Sequence, residues 1–197
     1  MPLTRLEKET LLKIARRSIE TYVRENAALE VSLPSPGLFD DAGAFVTLHK
    51  DGRLRGCIGT FASPKPLYIT VRDMAVAACS RDPRFAPLEH EELDCVTIEI
   101  SVLSPLREIT EVSEIEVGRH GLYITKKRFR GVLLPQVAVE HGFDRERFLE
   151  ETCLKAGLEC FDWKEDARIF VFEAEIIKEE EKAGTRHRSR LSGEASE

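Results

Sequence analysis

"AFVTLHKDGRLRGCIG", Ala44 to Gly59, is the stretch whose reading decides the fold. Two runs of β-prone residues flank Asp51-Gly52, a dipeptide that tolerates the positive φ angles of a two-residue hairpin turn. The stretch predicts a β-hairpin. It returns in the second half as "GLYITKKRFRGVLLP", Gly121 to Pro135. There R-F-R-G-V-L at Arg128–Leu133 matches R-L-R-G-C-I at Arg53–Ile58, at an offset of 75 residues. Helical segments follow both, with Cys153 close to the place of Cys79, and each half then reaches an alternating strand, "CVTIEISVL" or "RIFVFEAEII". In the first of these, Val96, Ile98 and Ile100 alternate with Thr97, Glu99 and Ser101, the period of a half-buried strand. A hairpin–helices–strand unit over roughly 43–104 and again over 118–177 predicts an α+β protein. Helices would pack on antiparallel sheets, by internal duplication of the unit.

Upstream, "LTRLEKETLLKIARRSIETYV" predicts an amphipathic helix. Thr4 and Glu7 have capping-box spacing, and Leu11, Ile14, Ile19 and Tyr22 fall near one face. "SLPSPGLFDDAG" is a proline- and glycine-rich connector. Ser63-Pro64 and Pro66 mark the start of another helix, with Leu67, Val71, Met74, Ala75 and Ala78 as its buried stripe. "SRDPRFAPLEHEEL" is a polar connector. The last twenty residues, "KEEEKAGTRHRSRLSGEASE", have almost no apolar content, so residues 178–197 are expected to be a disordered tail on a single domain of residues 1–177.

Composition narrows the function classes. The 197 residues are 42% apolar and 32% charged, as in a globular protein. No apolar run approaches the roughly 20 residues that cross a bilayer. "MPLTRLEKET" lacks the apolar core of a secretory signal, so a cytoplasmic location is expected. Net charge is −6, and the tail holds five Lys/Arg and five Glu, so the body carries the whole imbalance. An acidic body argues against broad nucleic-acid binding, which needs a positive surface. Cys57, Cys79, Cys95, Cys153 and Cys160 include no C-x-x-C pair, which argues against a zinc site or a disulfide scaffold. With no phosphate loop or dinucleotide fingerprint either, no cofactor or metal is implied.

The chemistry-bearing motif is "RLRGCIG", Arg53 to Gly59. Strict alternation places Arg53, Arg55, Cys57 and Gly59 on one face, opposite Leu54, Gly56 and Ile58. Arg55 would then stand beside the Cys57 sulfur, and a neighbouring cation favours the thiolate. Gly56 and Gly59 leave room for another backbone or a ligand. Because Val132 replaces Cys57 in the second copy, the fold itself does not call for a thiol there. A nucleophile also needs a base, for which His120 in "GRHGL" is the first candidate and His49 the second. Glu99 can orient a base or act as general acid/base. Asp82, Arg84 and Phe85 lie on a polar loop of the kind that binds ligands, and Gln136 offers a donor and an acceptor at a helix start. Each has a plainer role. Cysteine is a common core residue, Arg55 suits a structural ion pair, Asp82 and Arg84 can pair to fix their loop, and His120 and Gln136 can cap.

These segments carry a resemblance as well. "LRGCIGTF", "DPRFAPL", "IEISVLSP", "GRHGLYI", "GVLLPQVAVE" and "FLEETCLKAGL", in that order from Leu54 to Leu158, resemble the AMMECR domain family. The resemblance implies an α+β fold with a larger and a smaller lobe. The chain is also similar to protein A of the prokaryotic AmmeMemoRadiSam grouping, which implies a Memo-like protein and a radical SAM (S-adenosylmethionine) enzyme as partners. It implies associates, not a reaction.

Three functions follow. The first is a small-molecule transferase or hydrolase working through Cys57 in an inter-lobe cleft. The second is a non-catalytic accessory subunit that binds a partner through the glycine-rich strand and the Asp82–Phe85 loop. The third, disfavoured by the acidic body, is an RNA binder using Arg53, Arg55, Arg128 and Arg130, with Phe129 stacking a base.

Overall fold

The computed structural model of the protein describes residues 3–31, 38, 40 and 42–180. Helix α1 (Arg5–Glu25) begins at a reciprocal cap. The Thr4 hydroxyl accepts the Glu7 N–H at 3.3 Å, and the Glu7 carboxylate accepts the Thr4 N–H at 2.8 Å. Donors that no helical carbonyl reaches are thus satisfied, as the spacing predicts. Leu11, Ile14, Ala15 and Ile19 form its buried stripe. Helix α2 (Leu67–Ser80) follows Pro66 and buries Leu67, Val71, Ala75 and Ala78. Together they cover one face of β1 (Ala44–Lys50), β2 (Arg53–Thr60) and β3 (Val96–Leu103), closing the larger core around Val46, Leu48, Ile98 and Ile100. Most of the connector between α1 and β1, residues 32–37, 39 and 41, lies outside the described residues.

The second half builds a smaller core in the same manner. The hairpin of β5 (His120–Lys126) and β6 (Phe129–Leu133) leads into α3 (Pro135–Glu140) and α4 (Arg145–Ala156), and β7 (Arg168–Lys178) completes it. Asp144 caps α4, Gly157 ends it at φ +76°, and Phe148, Leu149 and Cys153 pack on Leu122, Ile124, Ile169 and Val171. A three-residue strand that periodicity does not reveal, β4 (Arg107–Ile109), pairs with β7. The chain is therefore α+β, with antiparallel strands and packed helices, as the hairpin pattern predicts.

All pairings are antiparallel, and the strands join in the order β2-β1-β3-β7-β5-β6. Read from either edge the order is the same: outer hairpin strand, inner hairpin strand, then the strand that closes that half. The sheet curls into a half-barrel with its helices outside. Phe61, just past the edge strand β2, reaches across the concave side. Its ring lies 4.8 Å from that of Phe45, 6.0 Å from Phe172 and 6.2 Å from Tyr123.

At the C-terminal end, β7 runs through Lys178. Glu179 then donates its N–H to the Ile98 carbonyl at 2.9 Å and accepts from Arg16 Nε at 3.0 Å. Defined structure thus extends past the expected start of the tail at 178, and the rest of that segment, 181–197, lies outside the described residues. No described helix is long and apolar enough to cross a membrane.

Candidate functional site

Cys57 lies on an edge strand, where backbone groups on the free side need partners from outside the sheet. The loop after α2 supplies them. Asp82 accepts the Cys57 N–H at 2.8 Å, and Arg84 donates to the Cys57 carbonyl at 3.3 Å. Asp82 also accepts the Arg84 N–H at 3.1 Å and two of its guanidinium donors at 2.9 and 2.7 Å. Its side chain is 2% exposed. The Arg84 guanidinium, helped by the two backbone N–H groups, holds the Asp82 carboxyl well below the usual carboxylate range. Arg84 rests 5.5 Å from the Phe85 ring centre, with its guanidinium on the Cys57 carbonyl. Asp82 and Arg84 do pair, and the pair fastens their loop to the sheet edge.

Arg55 does not take the place that alternation assigns it. Leu48 pairs with Gly56 but His49 pairs with Leu54, so Arg55 is the extra residue of a β-bulge. The bulge aims its guanidinium at Glu92, with bonds of 3.1 and 2.7 Å, and at the carbonyls of Ala86 and Pro87. Lys50 joins the same carboxylate at 2.8 Å. The cation bonded to Cys57, at its carbonyl, is thus Arg84, and Arg55 is held in an ion pair. The two glycines are filled from within the chain. A Cβ on Gly56 would meet the Ala78 carbonyl of α2 at 2.3 Å, and one on Gly59 the Phe45 ring at 2.2 Å. Gly131 stands to Ala156 of α4 as Gly56 stands to α2, at 2.5 Å. Arginine-glycine therefore recurs where each helix presses on its hairpin.

The bulge also sets the neighbours of Cys57. A regular ladder from the turn would pair Thr47 with Gly56; the extra residue makes the pair Thr47–Cys57. Thr47 in turn pairs with Glu99, and Glu99 with Lys178. Directly paired residues share a face, so thiol, hydroxyl, carboxylate and ammonium form one row across four strands. That row lies on the concave face, away from α1 and α2. The Thr47 hydroxyl donates to Cys57 Sγ at 3.3 Å, and Lys178 Nζ is 2.9 Å from the Glu99 carboxylate, whose side chain is 15% exposed. Phe61 and its ring partners wall the face beyond Gly59.

His120 lies elsewhere. Along β5 it shares a face with Leu122 and Ile124, the side covered by the smaller core, whereas the Cys57 row continues onto the Gly121 and Tyr123 side. Its Nδ1 accepts the Glu116 N–H at 3.1 Å. It is thus not placed as a base for Cys57, and Glu99 is the carboxylate on the correct face. His49 pairs with Leu54, beyond the bulge. Gln136 sits at the start of α3, on the wall of a separate cavity. The four arginines proposed for RNA do not gather. The β1–β2 and β5–β6 turns sit at opposite ends of oppositely directed strands, and Glu92 holds Arg55. Sequence reasoning missed Thr47, Lys178, Glu92 and Phe61, whose roles depend on the bulge and on the curl.

Of the remaining thiols, Cys79 and Cys153 are buried, and burial pushes both up to about 11. Cys95 is exposed and Cys160 half-buried. Among the described residues no group of three or more His, Cys, Asp or Glu could hold a metal ion.

A family model described as AMMECR1 matches residues 12–177. A protein of Methanothermobacter thermautotrophicus is 43% identical over 188 residues, covering 91% of this chain and 97% of that one. One from Methanopyrus kandleri is 41% identical over 192 residues, covering 92% and 93%. Among solved structures, an uncharacterised protein of Pyrococcus horikoshii matches with a TM-score of 0.79 and 41% identity, covering 88% of this chain and 91% of that chain.

Proposed function

Taking as premise that the chain belongs to the AMMECR1 family, we propose that it is a ligand-binding domain whose reactive centre is the Cys57 thiol on the concave face. The observation that carries this reading is the setting of one sulfur: a hydroxyl donor at 3.3 Å, a guanidinium on the same residue's carbonyl, and a carboxylate–ammonium pair further along the same row. In the reaction the sulfur bonds to an electrophilic carbonyl carbon, and the carbonyl electron pair moves onto oxygen beside Arg84. The Thr47 hydroxyl, which donates to Sγ, steadies the sulfur as thiolate, and Glu99 on the same face takes up the thiol proton. Iodoacetamide labelling of the folded Cys95→Ser/Cys160→Ser protein tests this proposal. Cys57 should label while Cys79 and Cys153 stay silent, and Thr47→Val should change its rate. A Cys57 that stays silent until the protein is denatured would sink the proposal.

One observation favours a second reading. Leu54, thrown by the bulge onto the face of His49, is 41% exposed. An accessory subunit would present Leu54 and Arg84 to a Memo-like protein or a radical SAM enzyme. Co-purification would then be lost in Arg84→Glu and retained in Cys57→Ser.

A further inference from the structure

Among the described residues, strand β7 has neighbours on both sides along half its length and on one side along the rest. β5 pairs with it from Arg168 to Glu173 and stops at His120, where the turn from Glu116 leads away. From Ala174 to Lys178 the ladder continues with β3 alone. On the β3 side the Glu179 N–H reaches the Ile98 carbonyl, and the Ser104 N–H reaches the Glu173 carbonyl. Backbone groups alternate sides along a strand, so the N–H and C=O of Ala174, Ile176 and Lys178 point the other way. Among the described residues no strand meets them there. Instead a cavity of about 540 Å³ opens between β7, α3 and the Gly118–Arg119 turn.

Its walls carry three features of a receiving site. Gln136 lines the cavity and its Oε1 is buried with no hydrogen-bond partner, so a turn of the side chain would offer that acceptor to a donor from outside. Ile176 and Val139 are 40% and 62% exposed, two large apolar side chains held at the rim. Glu140 and Glu173 supply the negative charge, while Arg119 is already bridged to Glu116 and Glu173.

We propose that this notch receives an extended peptide segment of a partner protein, added as a strand on the open edge of β7. Main-chain bonds to Ala174, Ile176 and Lys178 hold it. Cross-strand pairing dictates its pattern: apolar side chains beside Ala174 and Ile176, Lys or Arg on the face of Glu173. A donor of the segment satisfies Gln136. The notch uses the β7 backbone and not the Cys57 sulfur; the two sites share only Lys178, whose side chain pairs with Glu99.

Selection of a displayed random-heptapeptide library on the full chain tests this. Enriched peptides should alternate apolar residues with Lys or Arg, and a fluorescent consensus peptide should bind Cys57→Ser as it binds the unaltered protein. Ile176→Pro removes the N–H directed at the open edge together with the Ile176 side chain, and should weaken binding at least tenfold, as should Gln136→Ala. N-methylating alternate residues of the peptide should do the same against the unaltered protein, whatever the proline does to folding. The proposal is overturned by a library that enriches no more than on the Ile176→Pro bait, by acidic consensus peptides, or by indifference to N-methylation. Concentration-dependent dimers that Ile176→Pro abolishes would also overturn it, since the edge would then pair with a second copy.

Discussion

Replacing Glu92 by Gln probes the anchoring of Arg55 directly. Glu92 accepts two guanidinium bonds from Arg55, at 3.1 and 2.7 Å, and the Lys50 ammonium at 2.8 Å, with its side chain 16% exposed. Arg55 first and then Lys50, outweighing burial, lower its carboxyl from the ordinary 4.5 to about 2. A drop of that size corresponds to about 3 kcal/mol of stability at neutral pH. Screening around the half-exposed Lys50 brings the expected loss in Glu92→Gln to about 2 kcal/mol. Because the folded carboxyl ionises at lower pH than the unfolded one, the stabilisation is present above the unfolded value of 4.5 and disappears as pH falls toward 2. Urea unfolding at two pH values measures it. The gap between parent and variant should be about 2 kcal/mol at pH 7 and smaller by roughly 40% at pH 3.5. A gap below about 0.5 kcal/mol at pH 7, or one unchanged with pH, would refute the ion pair as the anchor.

Other substitutions separate the remaining contacts. Gly56→Ala drives a Cβ to 2.3 Å from the Ala78 carbonyl and should cost about 3 kcal/mol or prevent folding. Gly52→Ala meets nothing within 4 Å and carries only the strain of φ +71°, about 1 kcal/mol by chemical denaturation. Asp82→Ala should cost about 3 kcal/mol and accelerate amide exchange at Cys57, because it strips the edge of its acceptor; an unchanged exchange rate there would refute the edge-fastening role. Phe61→Ala removes the ring that joins the two halves across the concave side. It should lower stability by about 3 kcal/mol, with calorimetry showing looser coupling of the two cores.

Much of the fold was legible because its signals are local. Asp51 and Gly52 take positive φ in a two-residue turn, Thr4 and Glu7 form their cap, and the stripes of α1 and α2 are buried except for the half-buried Tyr22 and Met74. The site was less legible. Strict alternation put Arg55 beside Cys57 and Leu54 opposite, and one bulged residue undoes both. Nothing in "RLRGCIG" marks a bulge, since its cause lies in Glu92 and the Asp82–Arg84 loop, 25 to 37 residues away. His120 was chosen for its place in the second half, but strand parity turns it to the covered face.

From residue order alone came the α+β class, the hairpins, the capped helices and the motif that draws attention to Cys57. Those follow from short-range sterics and the period of apolar residues, which act within a few positions. Only the tertiary structure decided that Cys57 faces Thr47 and Glu99 on the concave side, that Arg84 and not Arg55 bonds to it, and that β7, among the described residues, has no second neighbour past Glu173. Ladder register, sheet curl and the end of a pairing partner depend on contacts far apart in the chain. A shift of one residue in any of them moves a side chain to the other face.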